Sequence, residues 1–462
     1  MSYEKRLERV SQLIAENERL RAEIEQLKRQ HARAAAPFSK NDPKRNPQRS
    51  GRKAGQGLFR QRPAPAPEEY STPPVEVPLT ETSCPACGGA LGEETEEIVT
   101  PTELPPAPKP EVTAYRIKIR CCQSCRRKVR GRHAAVAPDQ FGATAHRLGP
   151  RAQAAAALLH YGDGIPQRKV PRVLLSLTGL SVTPGALTQA ALRLGTGAGP
   201  IAGQYQHLRD QIKEEPALNT DDTGWRIGGK PAQMMVFETK PMVVYQIRQQ
   251  HRNEEVREVI GDHYAGVLCT ARGRSYEAKE LAQVRQQKCI AHLQRSIGKV
   301  LAPKRGAARR FGQQLKAQLK AAVELHHAFH QAEGEVPDYE PRVRHLDLEI
   351  TWHLRPRVLQ DADNQRLLNE IGRHHDNQNL LRFLASPKTV EPTNNAAERA
   401  LRPAVIARKV SQCSKNKRGA AASAAFKSVI GTLKKSGGDV LENLARLILA
   451  DPSQEVSPAN TS

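Results

Sequence analysis

The chain has 462 residues, and its 71 Lys+Arg against 48 Asp+Glu leave a formal charge of +23. That length exceeds one compact core, so roughly two to four domains are expected, and so basic a surface suits a polyanion whose phosphates displace their counterions onto it. No apolar run approaches a membrane span, and the N-terminus reads as a polar helix rather than a signal peptide, which places the chain in a reducing cytoplasm; its eight cysteines are then thiols or metal ligands, not a disulfide framework.

Val10, Asn17 and Ile24 recur every seven residues, as do Leu13, Leu20 and Leu27. Placed at a and d, they form a short coiled-coil seam over 1–31, with the lone Asn at a fixing register and Glu16, Glu23, Arg21 and Lys28 placed to pair across helices. A parallel homodimer, or a higher oligomer built on it, is the expectation.

Periodicity is lost over 32–80. Lys44, Arg45, Arg52 and Lys53 lie in a Pro- and Gly-rich tract that cannot bury enough surface to fold alone. It serves as a tether or as a basic arm along DNA phosphates. Over 81–135 come two Cys-x-x-Cys pairs, Cys84 with Cys87 and Cys122 with Cys125. Four thiolates suit tetrahedral Zn²⁺, so the segment reads as a zinc ribbon with a β-hairpin between the pairs. Cys121 is the alternative to Cys122, and the spacing favours Cys122. Cys269, Cys289 and Cys413 read as small hydrophobes.

Residues 140–208 are Ala- and Leu-rich at helical spacing. Within them 170–177, the turn Gly179-Leu180-Ser181 and 183–194 read as helix, turn, helix, with Ser181 or Thr183 as N-cap and Pro184 in the first helical turn. Such a pair can read DNA, and it can equally be two packed helices.

Ala217-Leu218-Asn219-Thr220 leads into Asp221-Asp222-Thr223-Gly224-Trp225, a strand-like run ending in acid; 234–237, 243–247 and 265–270 read as further strands. A buried strand delivering a carboxylate at its end is how an RNase H-like α/β core presents ligands for two Mg²⁺ or Mn²⁺ ions about 4 Å apart. Asn394-Asn395-Ala396-Ala397-Glu398-Arg399 has the polar cap and spacing for a helix carrying the last ligand, with Arg399 and Arg402 available for phosphates. Arg408, Lys409, Lys415, Lys417 and Arg418 extend that basic surface. Trp225 reads as core, His292 as a packing or phosphate-facing residue, and His326-His327 and His374-His375 as solvated faces of polar helices.

These motifs in this order resemble a DDE transposase of the insertion-sequence sixty-six family over nearly the whole chain. The resemblance is carried by the leading coiled coil, Cys84-Pro85-x-Cys87-Gly88, Asp221-x-Thr223-x-Trp225 and Gly266-Val267-Leu268. It continues through Cys289-x-x-His292-Leu293 and Asn394-Asn395-x-x-Glu398-Arg399 with Leu401-Arg402-Pro403. It implies that Asp221 and Glu398 are the first and third members of a catalytic triad and that about 294–390 is a helical insertion before the last acid. Where similar proteins carry the second Asp, this chain has Ala271, in Cys269-Thr270-Ala271-Arg272-Gly273. A methyl group cannot ligate a metal. Neither Asp222, expected on the opposite face of its strand, nor Asp262, before the next strand, is a convincing substitute.

The expected fold is a multi-domain α+β chain: coiled coil, basic linker, zinc ribbon, helical DNA-binding region, an RNase H-like core over 212–410, and a basic helical region over 411–462. The resemblance implies a transposase that binds terminal inverted repeats and target DNA, with accessory proteins as possible partners. Ala271 implies that this copy does not cut. A domesticated, non-catalytic DNA-binding protein is the rival expectation.

Overall fold

The computed structural model describes residues 65–136 except 94, 97, 103, 105 and 107, residues 147–450 except 272 and 412, and scattered positions between 12 and 23. The chain divides into two compact units, residues 39–108 and residues 1–38 with 109–462. Lys44, Arg45, Arg52 and Lys53 lie outside the described residues, as does most of the coiled-coil segment. Its described positions are helical, and Leu13 and Leu20 on its apolar seam are exposed.

In the smaller unit the described residues form one 3-10 turn, Pro67–Glu69, and a tight turn at Cys84. From residue 109 on, the first strands of the larger unit among the described residues form a short antiparallel hairpin, β1 (Ile119–Cys121) and β2 (Lys128–Arg130). The sequence places a hairpin between the two cysteine pairs; instead it encloses the second pair, because Cys122 to Cys125 form its turn.

Four helices follow: α1 (Pro150–Ala157), extended by a π-turn over Leu158–Gly162, then α2 (Val170–Thr178), α3 (Pro184–Leu194) and α4 (Pro200–Gln211). The α2–α3 pair is set by local chemistry. Gly179 takes a left-handed φ of 67° that ends α2. Thr183 Oγ1 accepts from the Ala186 N–H at 3.2 Å, and Pro184 occupies the first turn of α3.

The core is a five-stranded mixed sheet of β3 (Ala217–Ile227), β4 (Lys230–Glu238), β5 (Val243–Arg248), β6 (Val267–Thr270) and β7 (Arg285–Lys288), in the order β5-β4-β3-β6-β7. β4 is antiparallel to both β3 and β5, while β6 runs parallel to β3 and β7 parallel to β6. β3 does not end at its acid, as the sequence suggests. It runs on to Ile227 because β4 pairs with it from Asn219 to Ile227, whereas β6 pairs with it only from Ala217 to Thr220. Asp221 therefore sits where the parallel neighbour stops.

Both faces of the sheet are covered, so β4 is apolar without alternation over Met234–Phe237. On one face Leu218, Met235, Phe237, Val244 and Leu268 pack against α4, α5 (Asn253–Ile260), α12 (Lys417–Ser436) and α13 (Val440–Leu449). That cluster includes Ala154, Leu194 and Leu208 as well as Phe426 and Leu444, so segments 140–208, 212–410 and 411–462 share one core. On the other face Trp225, Met234 and Val236 meet α11 (Asn395–Ser411) through Ala397, Leu401 and Ala404.

Between β7 and α11 lie α6 (Ile290–Leu301), α7 (Ala307–Gln331), α8 (Tyr339–Leu354), α9 (Ala362–Asp376) and α10 (Arg382–Ala385), packed together with Val267 and Cys269. His326 and His374 are not on solvated faces; both are buried. His326 prolongs the Leu315-Leu319-Ala322 stripe of α7 and His374 the Leu367-Ile371 stripe of α9, so helical periodicity turns each imidazole inward. Among the described residues no helix is long and apolar enough to cross a membrane.

Candidate active site

Asp221 leaves β3 one residue beyond the last β3–β6 pair, Thr220↔Thr270. Its carboxyl accepts from the Asp222 N–H at 2.9 Å. Burial pushes its pKa up to about 6; the carboxylates of Asp222 and Glu398 push the same way, against the Asp222 N–H and His251. A half-buried acid crowded by two others is a site that a cation would relieve. Asp222, as its strand position suggests, is engaged separately, with its carboxylate 3.3 Å from His251 Nδ1. Asp262 pairs with Arg257 at 2.9 Å.

Glu398 is carried by α11, and the residues around Asp221 hold that helix in place. Asn394, fully buried, donates from Nδ2 to the Thr220 carbonyl at 2.7 Å, and its backbone N–H donates to Cys289 Sγ at 3.2 Å. Farther along, Arg408 Nη1 donates to Thr223 Oγ1 at 3.1 Å and to the Gly224 carbonyl. A Cβ at Gly224 would stand 3.3 Å from that guanidinium, so the glycine lets it approach. Trp225 is buried against Leu401 and Ala404, and its indole N–H donates to Ser414 Oγ. The Thr-Gly-Trp that follows Asp221 is thus a docking strip for the Glu398 helix.

Sequence reasoning missed Arg295 here and gave His292 only a packing or phosphate-facing role. From α6, Arg295 Nη2 reaches Glu398 Oε1 at 3.2 Å, and His292 Nε2 stands 3.6 Å from the same oxygen. The available signal was the Cys289-x-x-His292-x-x-Arg295 spacing, three residues apart on a helix. Cys289 is likewise more than an apolar filler, because its sulfur receives the Asn394 N–H.

Ala271 follows Thr270, the last residue of β6, as Asp221 follows Thr220, its partner in the last β3–β6 pair. The segment after it is held independently of residue 271. Tyr276 is buried, its hydroxyl 3.3 Å from Thr220 Oγ1, and its carbonyl accepts from Gln286 Nε2 at 2.7 Å. The carboxylates of Asp221 and Glu398 are donors of the kind that suits a divalent ion, and Ala271 has none to offer. Among the described residues no group of three or more His, Cys, Asp or Glu is placed to hold a metal.

Of the basic residues singled out, Arg399, Arg402 and Lys409 are exposed on α11, and Lys415, Lys417 and Arg418 are exposed beyond it. Arg408 differs, being half-buried and committed to β3. The two cysteine pairs share one local geometry. The Gly88 N–H donates to the Cys84 carbonyl and the Cys84 N–H to Gly89 O; likewise the Arg126 N–H donates to the Cys122 carbonyl and the Cys122 N–H to Arg127 O. The Cys84 thiol is held below its usual value by the N–H groups of Ala86 and Cys87, and the Cys122 thiol by those of Cys125 and Ser124. Cys121 lies on β1, outside this turn.

A mixed α/β core that brings acids from a central strand and a flanking helix to one point of a sheet defines a class of carboxylate-bearing proteins. Within it the chain belongs to the transposase IS66 family, a DDE transposase family whose pattern matches residues 146–422, most of the chain. The match takes in Asp221, Ala271 and Glu398 and leaves both cysteine pairs outside it. No curated protein matches the chain.

Proposed function

We propose that the chain is the transposase of a bacterial insertion sequence, built to bind terminal inverted repeats and to cut and join DNA strands, and that Ala271 leaves this copy able to bind ends without cutting them. The observation that supports the reading is that the Asp221 carboxyl feels the Glu398 carboxylate, with the Glu398 helix tied to the strand of Asp221 by Asn394 and Arg408. The sheet order, with its one antiparallel central neighbour, supports an RNase H-like core.

In this reading Asp221 and Glu398 hold a divalent ion. Mg²⁺ or Mn²⁺ bound there supplies Lewis-acid stabilisation of a phosphodiester oxygen. Arg295 and His292 orient the Glu398 carboxylate. Arg399, Arg402, Lys409, Lys415, Lys417 and Arg418, with Lys44, Arg45, Arg52 and Lys53 on the linker, bind phosphates. Arg408 acts by positioning α11. Cys84, Cys87, Cys122 and Cys125 hold a structural Zn²⁺, which the matching turns and lowered thiols support. The N-terminal heptads pair two protomers, and α2–α3 contribute to reading the ends. The site of action is the cytoplasm, on chromosomal DNA.

A second reading is favoured by the same methyl group: a domesticated DNA-binding protein that uses these surfaces without chemistry. Cleavage and strand transfer on the gene's own flanking ends, with Mg²⁺ or Mn²⁺, tests both. The reading expects Ala271→Asp to cut and the present chain not to. Cutting by both forms would place the second acid elsewhere. End binding by both with cutting by neither would favour the domesticated protein or a missing accessory factor.

A further inference from the structure

The outer face of α8 carries an exposed tryptophan that the site described above does not use. Trp352 is 68 % exposed and Leu348, one turn before it, 65 % exposed, while Ile350, His353 and Leu354 on the opposite side are buried. The Arg355 guanidinium carbon lies 3.7 Å from the Trp352 ring centroid, and its Nη1 donates to the Trp352 carbonyl at 2.7 Å. That hydrogen bond fixes the cation over one face of the indole, and most of the rest of the ring is open to solvent.

The face that carries the ring is mainly basic, although the exposed Glu349 lies one turn before Trp352. At about 100° per residue, Pro341, Arg344, His345, Leu348, Trp352 and Arg355 share the outer face. Glu340, Asp347 and Glu349 flank that face, about 90–110° from its centre line. His345 is 3.4 Å from Glu349, which leaves Arg344 and Arg355 as the cations of the face. A flat, rigid ring backed by a guanidinium and flanked by arginine is the chemistry that stacks an unpaired nucleobase while holding the adjacent phosphate. A second copy of this chain fits less well, since at +23 it is strongly basic.

We infer that Trp352, with Arg355 behind it, is a stacking platform for an unpaired base of single-stranded or distorted DNA. The inference rests on the proposed DNA-handling function and deepens it: the helical insertion reads strand separation, whereas the basic surface of α11 reads phosphates. In intact duplex every base is already stacked on both sides, so the platform distinguishes the two forms of DNA.

The test titrates the full chain with labelled oligothymidylate and with a blunt duplex, following anisotropy and tryptophan emission. Trp225, the other tryptophan, is 5 % exposed, so a change in emission reports Trp352. Oligothymidylate quenches the emission, and Trp352→Ala weakens its binding about 5- to 100-fold while duplex affinity holds within about twofold; Trp352→Phe, which keeps a stacking face, recovers most of the loss. Binding without quenching, unchanged oligothymidylate affinity in Trp352→Ala, or an equal loss for both DNAs overturns the inference and leaves the DNA-binding function standing. A change in the sedimentation of the free chain on Trp352→Ala overturns it in favour of a contact between copies. Failure to bind either DNA overturns the proposed function, and the inference with it.

Discussion

Asn394 Nδ2 donates to the Thr220 carbonyl at 2.7 Å, joining the residue that starts the Glu398 helix to the residue before Asp221. The bond is buried, so what it fixes is the separation of the two acids. Asn394→Ala strands a buried carbonyl and costs about 1–3 kcal/mol of stability, read by urea unfolding. In an Ala271→Asp background the same change also reduces the rise in melting temperature that Mn²⁺ produces, because the helix end carrying Glu398 loosens. An unaltered Mn²⁺ response would detach Asn394 from the site.

Arg408 and Lys409 are neighbours with different expected phenotypes. Arg408→Ala removes the tie to Thr223 and Gly224 and destabilises by about 1–3 kcal/mol. Lys409→Ala, like Arg399→Ala or Arg402→Ala, leaves stability within about 0.5 kcal/mol and lowers the salt dependence of DNA binding by about one unit of slope. Salt titrations of binding alongside unfolding curves separate the two classes.

The cysteine turns make a selective claim about zinc. Ser replacements at Cys84, Cys87, Cys122 or Cys125 abolish or sharply reduce the zinc content of the purified chain, and Cys121→Ser leaves it unchanged. Elemental analysis of the five variants decides the matter. Retention of zinc by Cys122→Ser but not by Cys121→Ser would reverse the assignment.

Buried histidines set an acid limit on the insertion. Burial lowers the pKa of His326, despite Glu391 and with His330 and His327 near, and that of His353, with Arg355 and Arg357 near. Both rings resist protonation more in the folded chain than in the unfolded one, which takes up protons at about 6.5. Stability is therefore full above that value and falls as pH drops below it, by at most about 1.4 kcal/mol per pH unit for each ring. His326→Leu and His353→Gln flatten the fall in melting temperature between pH 7 and 5.

Lys427 is buried on α12 beside Tyr161, whose carbonyl takes its ammonium at 3.0 Å, and burial pushes its pKa down to about 8. Both states hold the proton below that pH, so the cost of burying the charge is largest there and fades as pH rises toward the unfolded value. Lys427→Met relieves it, stabilising the chain by about 1–3 kcal/mol at pH 7 and removing the gain in stability above pH 8. Thermal unfolding at the two pH values checks both parts.

Local features of this fold are encoded by a few adjacent residues. Gly179, Thr183 and Pro184 mark the turn of α2–α3, and apolar runs mark β4 and β5. The four-residue cysteine spacing marks both turns, and the ordered motifs around Asp221 and Glu398 mark the family. Tertiary structure decided which of those residues meet. Thr220 and Asn394 are 174 positions apart, and Gly224 and Arg408 are 184 apart. No local period records such pairings, which arise when helices close over both faces of one sheet. The same packing spends Arg408 on a strand, turns His326 and His374 inward, and carries β3 through its acid because β4 pairs there and β6 does not. It also ends the β3–β6 pairing at Thr220 and Thr270, so that Asp221 and Ala271 each follow directly on the last pair.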